Sequence, residues 1–404
     1  MPLNSGYDQV MNESIDQFRL EARSWLEENC PDDVRKPGFI PWGSQKIELE
    51  DDVQLWLDRM AEKGWTVPTW PKAYGGAGLS KAQYMVVQEE MRRIGARPAL
   101  TGRGVNYIGP TVLEFGSDDQ KAKWLPRFAR GDGGWCMGYS EPAAGSDLAN
   151  LQLRCVDEGD IFRLNGMKIW TSDGIYGDWI FCLVRTDPDK PKHEGISLVL
   201  VNMDQPGVRV RPIQLISGNS PFCETFFEDA IADKDDLIGP RNQGWAVGKR
   251  LLQYERSVHG GVNTSGAQVE QKALSLADTA RTYVGEINGR LADESIRTRL
   301  LKLEMNSHAY RLTQQRVIAE TQASAPALAT SILKVKGAEF TKERVDVLQH
   351  VMGSQGFGWD GGSFNQKELD TNREWLSSRA VSIYGGTSEI QMNIIAKRVL
   401  GLPD

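Results

Sequence analysis

Tyr139-Ser140-Glu141-Pro142-Ala143-Ala144-Gly145-Ser146, continued by Asp147, is the stretch on which the reading of this chain turns. It stands where a strand-like run, Trp135–Tyr139, breaks into a turn. Pro142 removes a backbone donor and fixes φ. Gly145 supplies backbone freedom that a β-carbon would deny. Ser140, Ser146 and the backbone N–H groups of the turn are then left for something outside the chain. A second segment follows: Asn165-Gly166-Met167-Lys168-Ile169-Trp170-Thr171-Ser172. Asn-Gly is a strong two-residue hairpin signal. A hairpin is therefore expected with its turn at Asn165-Gly166 and Trp170 on the returning strand. Such an arrangement suits a large planar cofactor, whose polar edge needs hydrogen bonds and whose face needs an aromatic wall. Taken alone, the same residues fit a core Trp and ordinary turn serines equally well.

Working outward, the 404 residues are 40% hydrophobic and 25% charged, ordinary for a folded globular protein of two or three domains. The net charge is −7 and there is no block of like charges, so nothing suggests a nucleic-acid surface. No apolar run is long enough to span a membrane. The start, Met1–Gly6, lacks the charged-then-apolar order of a signal peptide, and a cytoplasmic protein is expected. Cys30, Cys136, Cys155, Cys182 and Cys223 show no Cys-x-x-Cys spacing, and no disulfide framework is expected. His193, His259, His308 and His350 form no metal-ligand pattern.

Residues 7–130 read as helical, with apolar faces in Met11–Glu28 and Asp51–Glu62. Pro68–Gly78 is a loop, Ser80 caps a helix through Ile94, and Asp118–Phe128 is a short helix ended near Gly131. At Gly131–Gly134 the period becomes alternating, and Trp135–Asp229 is strand-rich with frequent turn signals, as in a small barrel or sandwich. From Gly244 the pattern is helical again, over about 245–262, 265–284, 292–322, 325–351 and 388–400, as in a bundle. Asp360–Asp370 reads as a polar loop. The expected fold is mainly α with a central β-domain. It comprises an N-terminal helical domain (1–130), a middle β-barrel or sandwich (131–240) and a C-terminal helical bundle (241–404).

Glu-Pro-x-Ala-Gly-Ser-Asp followed by Asn-Gly-x-Lys-x-Trp-x-Ser resembles the paired signatures of the acyl-CoA dehydrogenase family. The resemblance extends over essentially the whole chain, through Pro68–Gly78 and the tail Ile383–Leu402. It implies FAD as cofactor, held by Tyr139, Ser140, Ser146, Trp170, Thr171 and Ser172. From the C-terminal part it implies Arg281, Gly385, Thr387 and Glu389. For an acyl-CoA substrate it implies Ser146, Tyr254, Arg256 and Tyr384. The tail Gly385-Gly386-Thr387-Ser388 runs into a helix, where Ser388 and Gln391 fit a capping box and the helix start would make an anion site. An ordinary capped helix reads the same way.

Many relatives place the catalytic glutamate immediately before the Gly-Thr of this tail, and here that position is Gly385. A minority carry it on the first helix of the C-terminal bundle, where this chain has Glu255-Arg256. Val247, Leu251, Tyr254, Val258 and Val262 trace one apolar face, and Glu255 falls on or beside it. A carboxylate there is costly unless paired or functional, and desolvation would raise its pKa as a C–H base requires. Read without the family, Glu255 is as well an ion-pair partner across a helix interface. With it, Glu255 is the expected α-proton base. The resemblance then implies hydride transfer to flavin N5, a trans-2-enoyl-CoA product and an electron-transferring flavoprotein as acceptor. It also implies a bacterial setting, and the base position hints at branched, cyclic, terpenoid or steroid acyl groups. Relatives are tetramers. Two segments that reach a neighbouring subunit's flavin in the family are irregular here: Arg281-Thr-Tyr-Val-Gly285 is one residue out of step, and His350 replaces a Gln. Homotetramer and hetero-tetramer both stay open.

Overall fold

The structure is a computed structural model that describes residues 5–259, 276–322 and 330–403, with side chains described outside 5–13, 256–259, 318 and 321–322. These residues form two compact units. The first holds 5–213 and 221–255; the second holds 214–220, 256–259, 276–322 and 330–403.

The first unit begins with five helices: α1 (Ser5–Asn29), α2 (Asp51–Glu62), α3 (Lys81–Arg93), α4 (Gly109–Phe115) and α5 (Asp118–Arg130). Their starts and stops are written locally. Ser80 and Gln83 form a capping box at α3, and Ser117 and Gln120 form another at α5. Gly131 closes α5 at φ 69°, a left-handed position that glycine adopts without cost. Just before α4, residues Gly104–Ile108 make one π-turn. The helical core gathers Leu26 of α1, Trp56 and Met60 of α2, and Val86 and Val87 of α3. Glu90 of α3 is buried against the same helices. It is neutralised by Arg23 at 2.9 Å, Arg93 at 2.6 Å and Arg19 at 3.4 Å.

Eight strands follow: β1 (Trp135–Gly138), β2 (Arg154–Asp157), β3 (Ile161–Ser172), β4 (Trp179–Arg185), β5 (Ile196–Asn202), β6 (Val208–Ile213), β7 (Phe222–Asp233) and β8 (Leu237–Ile238). They make one sheet in the order β6-β7-β3-β2-β4-β5-β8, with β1 parallel to β4. The end strands β6 and β8 do not pair, so the expected barrel does not close. The sheet instead folds over a core shared by Cys155 of β2, Phe162 and Leu164 of β3, Val199 and Val201 of β5, and Phe227 and Ala230 of β7. β4 and β5 are mostly apolar and almost wholly buried, as strands covered on both faces must be.

One expectation fails here. Asn165-Gly166 is not a hairpin turn; it lies inside the single twelve-residue strand β3. Gly166, at φ 142°, is a bulge where the pairing with β7 slips, and Asn165 exchanges two hydrogen bonds with Asp229 across it (2.9 and 3.0 Å). The turn between β2 and β3 is at Glu158-Gly159-Asp160, closed by Glu158 N–H to Ile161 carbonyl at 3.0 Å.

Then comes α6 (Gly244–His259), which runs through residue 255 in the first unit. The second unit adds α7 (Leu276–Val284), β9 (Glu286–Ile287), β10 (Arg290–Leu291), α8 (Glu294–Gln322), α9 (Thr330–Met352), α10 (Gln366–Ser378) and α11 (Ser388–Ile394). Its core packs Ala280 of α7, Ile296 of α8, and Val347 and Val351 of α9. The chain's other Asn-Gly pair, Asn288-Gly289, does turn a hairpin, with φ 53° and 71° between β9 and β10. The first five residues of α10 lie in the stretch Asp360–Asp370 expected to be loop. Asn365 and Glu368 cap it reciprocally, a signal the polar composition hides. The helix expected over 265–284 lies partly outside the described residues, as do Val262 and the start of the one expected over 325–351.

All five cysteines are free and buried, as expected of small apolar fillers, and burial pushes the Cys136, Cys155 and Cys182 thiols up to about 12. Among the described residues no helix is long and apolar enough to cross a membrane, and no side-chain group is arranged to hold a metal.

Candidate active site

The two motifs are stapled together by their own charged residues. Lys168, fully buried on β3, places Nζ 2.7 Å from Glu141 Oε1 and 3.1 Å from the Tyr139 carbonyl. Glu141 also accepts the backbone N–H groups of Gln152 (2.6 Å) and Leu153 (2.9 Å). Burial pushes the Lys168 ammonium down, and the Glu141 carboxylate opposes that shift. Ile169 N–H donates to the Ser140 carbonyl at 2.9 Å, and Glu141 and Ala144 exchange backbone bonds that close the loop. The sequence reading missed this pair, although both members stand inside the quoted motifs.

A second slip in β3, between Lys168 and Thr171, decides what the strand presents. Trp170 sits there at φ 62°, a left-handed conformation that costs a non-glycine residue about 1–2 kcal/mol. Its indole is 51% exposed and meets Phe222 edge-on, with ring centres 6.0 Å apart. A strained, exposed aromatic held by its neighbours is a functional signature. Thr171 is turned inward instead, its hydroxyl accepting from Thr225 at 3.0 Å, so a ligand meets only its backbone. Ser172 is half-buried, and its carbonyl accepts the Cys136 thiol at 3.4 Å. Asp173, next along, is also left-handed (φ 58°) and pairs with Arg103 at 3.2 Å. Ser146 is exposed and Ser140 half-buried. Gly145 is not at positive φ, and a β-carbon there would meet nothing within 4 Å. Its backbone therefore has no steric need of glycine within this chain; what it leaves is open space in front of the loop.

On α6, Val247 and Leu251 are buried and Glu255 is half-buried, one turn beyond Leu251. The Glu255 charge is felt by two buried phenols. Tyr107, in the π-turn before α4, is pushed up to about 12, by burial first and Glu255 second. Tyr139 is pushed well above the usual phenol range, by burial first and Glu255 second. The Tyr139 hydroxyl is buried with no hydrogen-bond partner among the described residues, 3.4 Å from where a β-carbon on Gly248 would stand. Tyr254 donates its hydroxyl to Glu114 at 2.5 Å, and Arg250 holds the same carboxylate at 2.7 Å. This ties α6 to α4 and commits the Tyr254 hydroxyl. The Arg256 side chain lies outside the described ones.

The remaining expected residues belong to the second unit. Arg281 is half-exposed and ion-paired with Asp278 and Glu286, each at 2.8 Å. Gly385 and Gly386 are both left-handed, with φ 64° and 88°. Thr387, not Ser388, caps α11, accepting Ile390 N–H at 3.2 Å, because the two glycines turn the chain one residue earlier than the capping-box reading assumes. Glu389 is exposed in the first turn, while Gln391 is buried beneath Gly386. Tyr384 is 48% exposed with the Lys334 ammonium 4.9 Å over its ring. That ammonium donates to the Val381 carbonyl at 2.8 Å and stands 3.6 Å from where a β-carbon on Gly385 would lie.

Comparison with known proteins fits this geometry. The acyl-CoA dehydrogenase N-terminal, middle and C-terminal domain profiles match residues 12–132, 136–230 and 242–400. Acyl-CoA dehydrogenase IpdE1 of Mycobacterium tuberculosis is 34% identical over 97% of this chain and 98% of its own length. Among solved structures, the Tcur3481-Tcur3483 steroid ACAD covers 100% of both chains at 26% identity, with a TM-score of 0.72. The ChsE4-ChsE5 complex from Mycobacterium tuberculosis covers 100% of both chains at 26% identity, with a TM-score of 0.71. Fold and motifs together define an oxidoreductase of the flavoprotein type. The chain belongs to the acyl-CoA dehydrogenase family, whose members are FAD-dependent.

The residues present fit such a group. An exposed indole offers a face, the half-buried Ser172 offers a hydroxyl two residues on, and the Gly145-Ser146 turn faces open space.

Proposed function

We propose that this protein carries out α,β-dehydrogenation of an acyl-CoA thioester to the trans-2-enoyl-CoA, with Glu255 as the base that takes the α proton. One observation carries the reading. Glu255 is half-buried on α6 one turn beyond the buried Leu251, and its charge is felt by two desolvated phenols, while Gly385 supplies no carboxylate. A glutamate at 385 would meet the Lys334 ammonium and start from a left-handed backbone, so that place favours an ion pair over a base.

In this reading Trp170 walls the FAD ring, Ser172 and Ser140 bond its polar edge, and Ser146 with the exposed loop takes its phosphates. The family resemblance adds Gly385, Thr387 and Glu389 as further FAD contacts. FAD held there would supply the hydride acceptor for the β hydrogen. The chain's own part is to hold the thioester, exclude water from the α carbon and place the Glu255 carboxylate at the α proton. The inward set of Tyr107 and Tyr139 keeps that carboxylate's surroundings poor in water. The Lys168–Glu141 staple fixes the loop against the strand, so that Ser140 and Trp170 keep one spacing.

The reduced protein passes electrons to an electron-transferring flavoprotein. The acyl group is branched, cyclic or steroid-like, a reading supported by the neighbour described as a steroid ACAD. A tetramer of like or of two unlike chains completes the site; the solved ChsE4-ChsE5 complex supports the unlike arrangement, and the ion-paired Arg281 fits it. The test of substrate class is a steady-state panel. Ring-bearing acyl-CoAs should exceed straight short-chain ones in kcat/KM by at least about 10-fold, the scale of a pocket shaped for bulk. Preference for short straight chains would refute the reading.

A further inference from the structure

Beside Ser172 the first unit holds a cation that the dehydrogenation chemistry does not use. Arg103 stands at the entry to the π-turn Gly104–Ile108, with backbone φ −72° and ψ −24°. The turn is fixed in place: a β-carbon on Gly104 would stand 3.0 Å from the Trp135 ring. From there Arg103 Nη1 reaches Asp173 Oδ2 at 3.2 Å. Asp173 is held left-handed directly after Ser172. Four residues beyond Arg103, the same turn carries Tyr107, whose phenol feels Glu255 and Arg103 with opposite sign. The guanidinium is thus bonded next to the proposed flavin-edge hydroxyl. Its charge is also felt by the phenol that feels the proposed base.

Its side chain is 21% exposed and that of Asp173 is 46% exposed. The bond between them is longer than the roughly 2.7–2.9 Å of a well-made charged hydrogen bond, and it uses one of the several N–H donors a guanidinium carries. Burying most of an arginine against a purely hydrocarbon substrate would desolvate those donors with nothing in return. Asp173 already balances the charge, so the pair is near neutral. A carboxylate brought to it would be opposed by Asp173, whereas a neutral acceptor would not.

The geometry points to Arg103 as the residue that selects the acyl group, by donating hydrogen bonds to a ketone oxygen on its ring system, with Asp173 tuning it against anions. This rests on the dehydrogenase reading for where the acyl chain lies, and the test separates the two. Three CoA thioesters of one cyclic carbon skeleton serve as probes: one with a ring ketone, one with methylene in its place, and one with a carboxylate. Dissociation constants are measured by calorimetry on the flavin-loaded protein, and anaerobic flavin bleaching is followed in parallel. The wild type is expected to bind the ketone at least about 10-fold more tightly than the methylene compound, as a site built to bond an oxygen does. Arg103→Met, which keeps the stem, should bring that ratio near one. Asp173→Asn should raise carboxylate affinity relative to ketone. Bleaching with equal affinities for ketone and methylene probes overturns the role of Arg103, as does an Arg103→Met protein that keeps the ratio. A ratio that depends on Arg103 in a protein that none of the three bleaches upholds Arg103 and sinks the dehydrogenase reading instead.

Discussion

Replacing Lys168 by Met would leave the Glu141 carboxylate buried with two backbone donors and without its bonded counter-charge. Breaking one side of a buried pair costs on the order of 3–5 kcal/mol, and that loss should appear in chemical denaturation together with weaker flavin retention. Trp170→Gly is expected to do the opposite to the apoprotein. It relieves a left-handed backbone, so the thermal midpoint holds or rises, while the flavin dissociation constant climbs by about 10-fold or more as the aromatic wall is lost. An apoprotein clearly destabilised by this change would show the indole to be core. Legibility differs among these residues. Glu255 stood out as a candidate because a carboxylate beside a run of apolar residues at helical spacing is costly, while the pattern by itself fits an ion-pair partner and the role of base came from the family resemblance. Lys168 was not, because lysine reads as surface. Its inward direction depends on two bulges in β3 that shift the alternation twice, and no local pattern announces them. The same slips separate Trp170 from Thr171, which the motif alone placed together at the cofactor.

The helices α1 and α3 are joined through one carboxylate. Glu90 is held at about 2, against an ordinary 4.5, first by its bond with Arg23 and further by Arg93 and Arg19. A depressed carboxyl contributes stability above its unfolded pKa and loses it as pH falls through the folded one. Stability carried by this cluster should therefore be full above about pH 4.5 and decline toward pH 2. Denaturation at a series of acidic pH values should show that slope, and Glu90→Gln should flatten it while lowering stability near neutrality. An unchanged slope in Glu90→Gln would assign the acid sensitivity elsewhere. At the other end of α3, Ser80→Ala removes half of a capping box and is expected to cost about 1 kcal/mol. Helix ends were legible at Ser80, which starts α3, and at Gly131, which stops α5, since such signals are local. The Asn-Gly signal misled for a physical reason. Its left-handed preference serves a bulge as well as a turn, and only long-range pairing with β7 tells Asn165-Gly166 from Asn288-Gly289.

For the molecule as a whole, the switch from helical to alternating period at Gly131–Gly134, and back at Gly244, was enough to order helices, sheet and helices. Whether the sheet closes was not legible. Closure depends on β6 and β8 meeting, a pairing between distant strands that alternation within each strand does not encode. The central claim concerns Glu255, and the most direct test is an anaerobic titration of the flavin-loaded wild type and Glu255→Gln with a ring-bearing acyl-CoA. The wild type should bleach. The variant should keep its flavin and its thioester binding yet bleach slower by about 10²–10⁴-fold, the usual worth of a positioned base. Equal bleaching of the two proteins would contradict the assignment of Glu255.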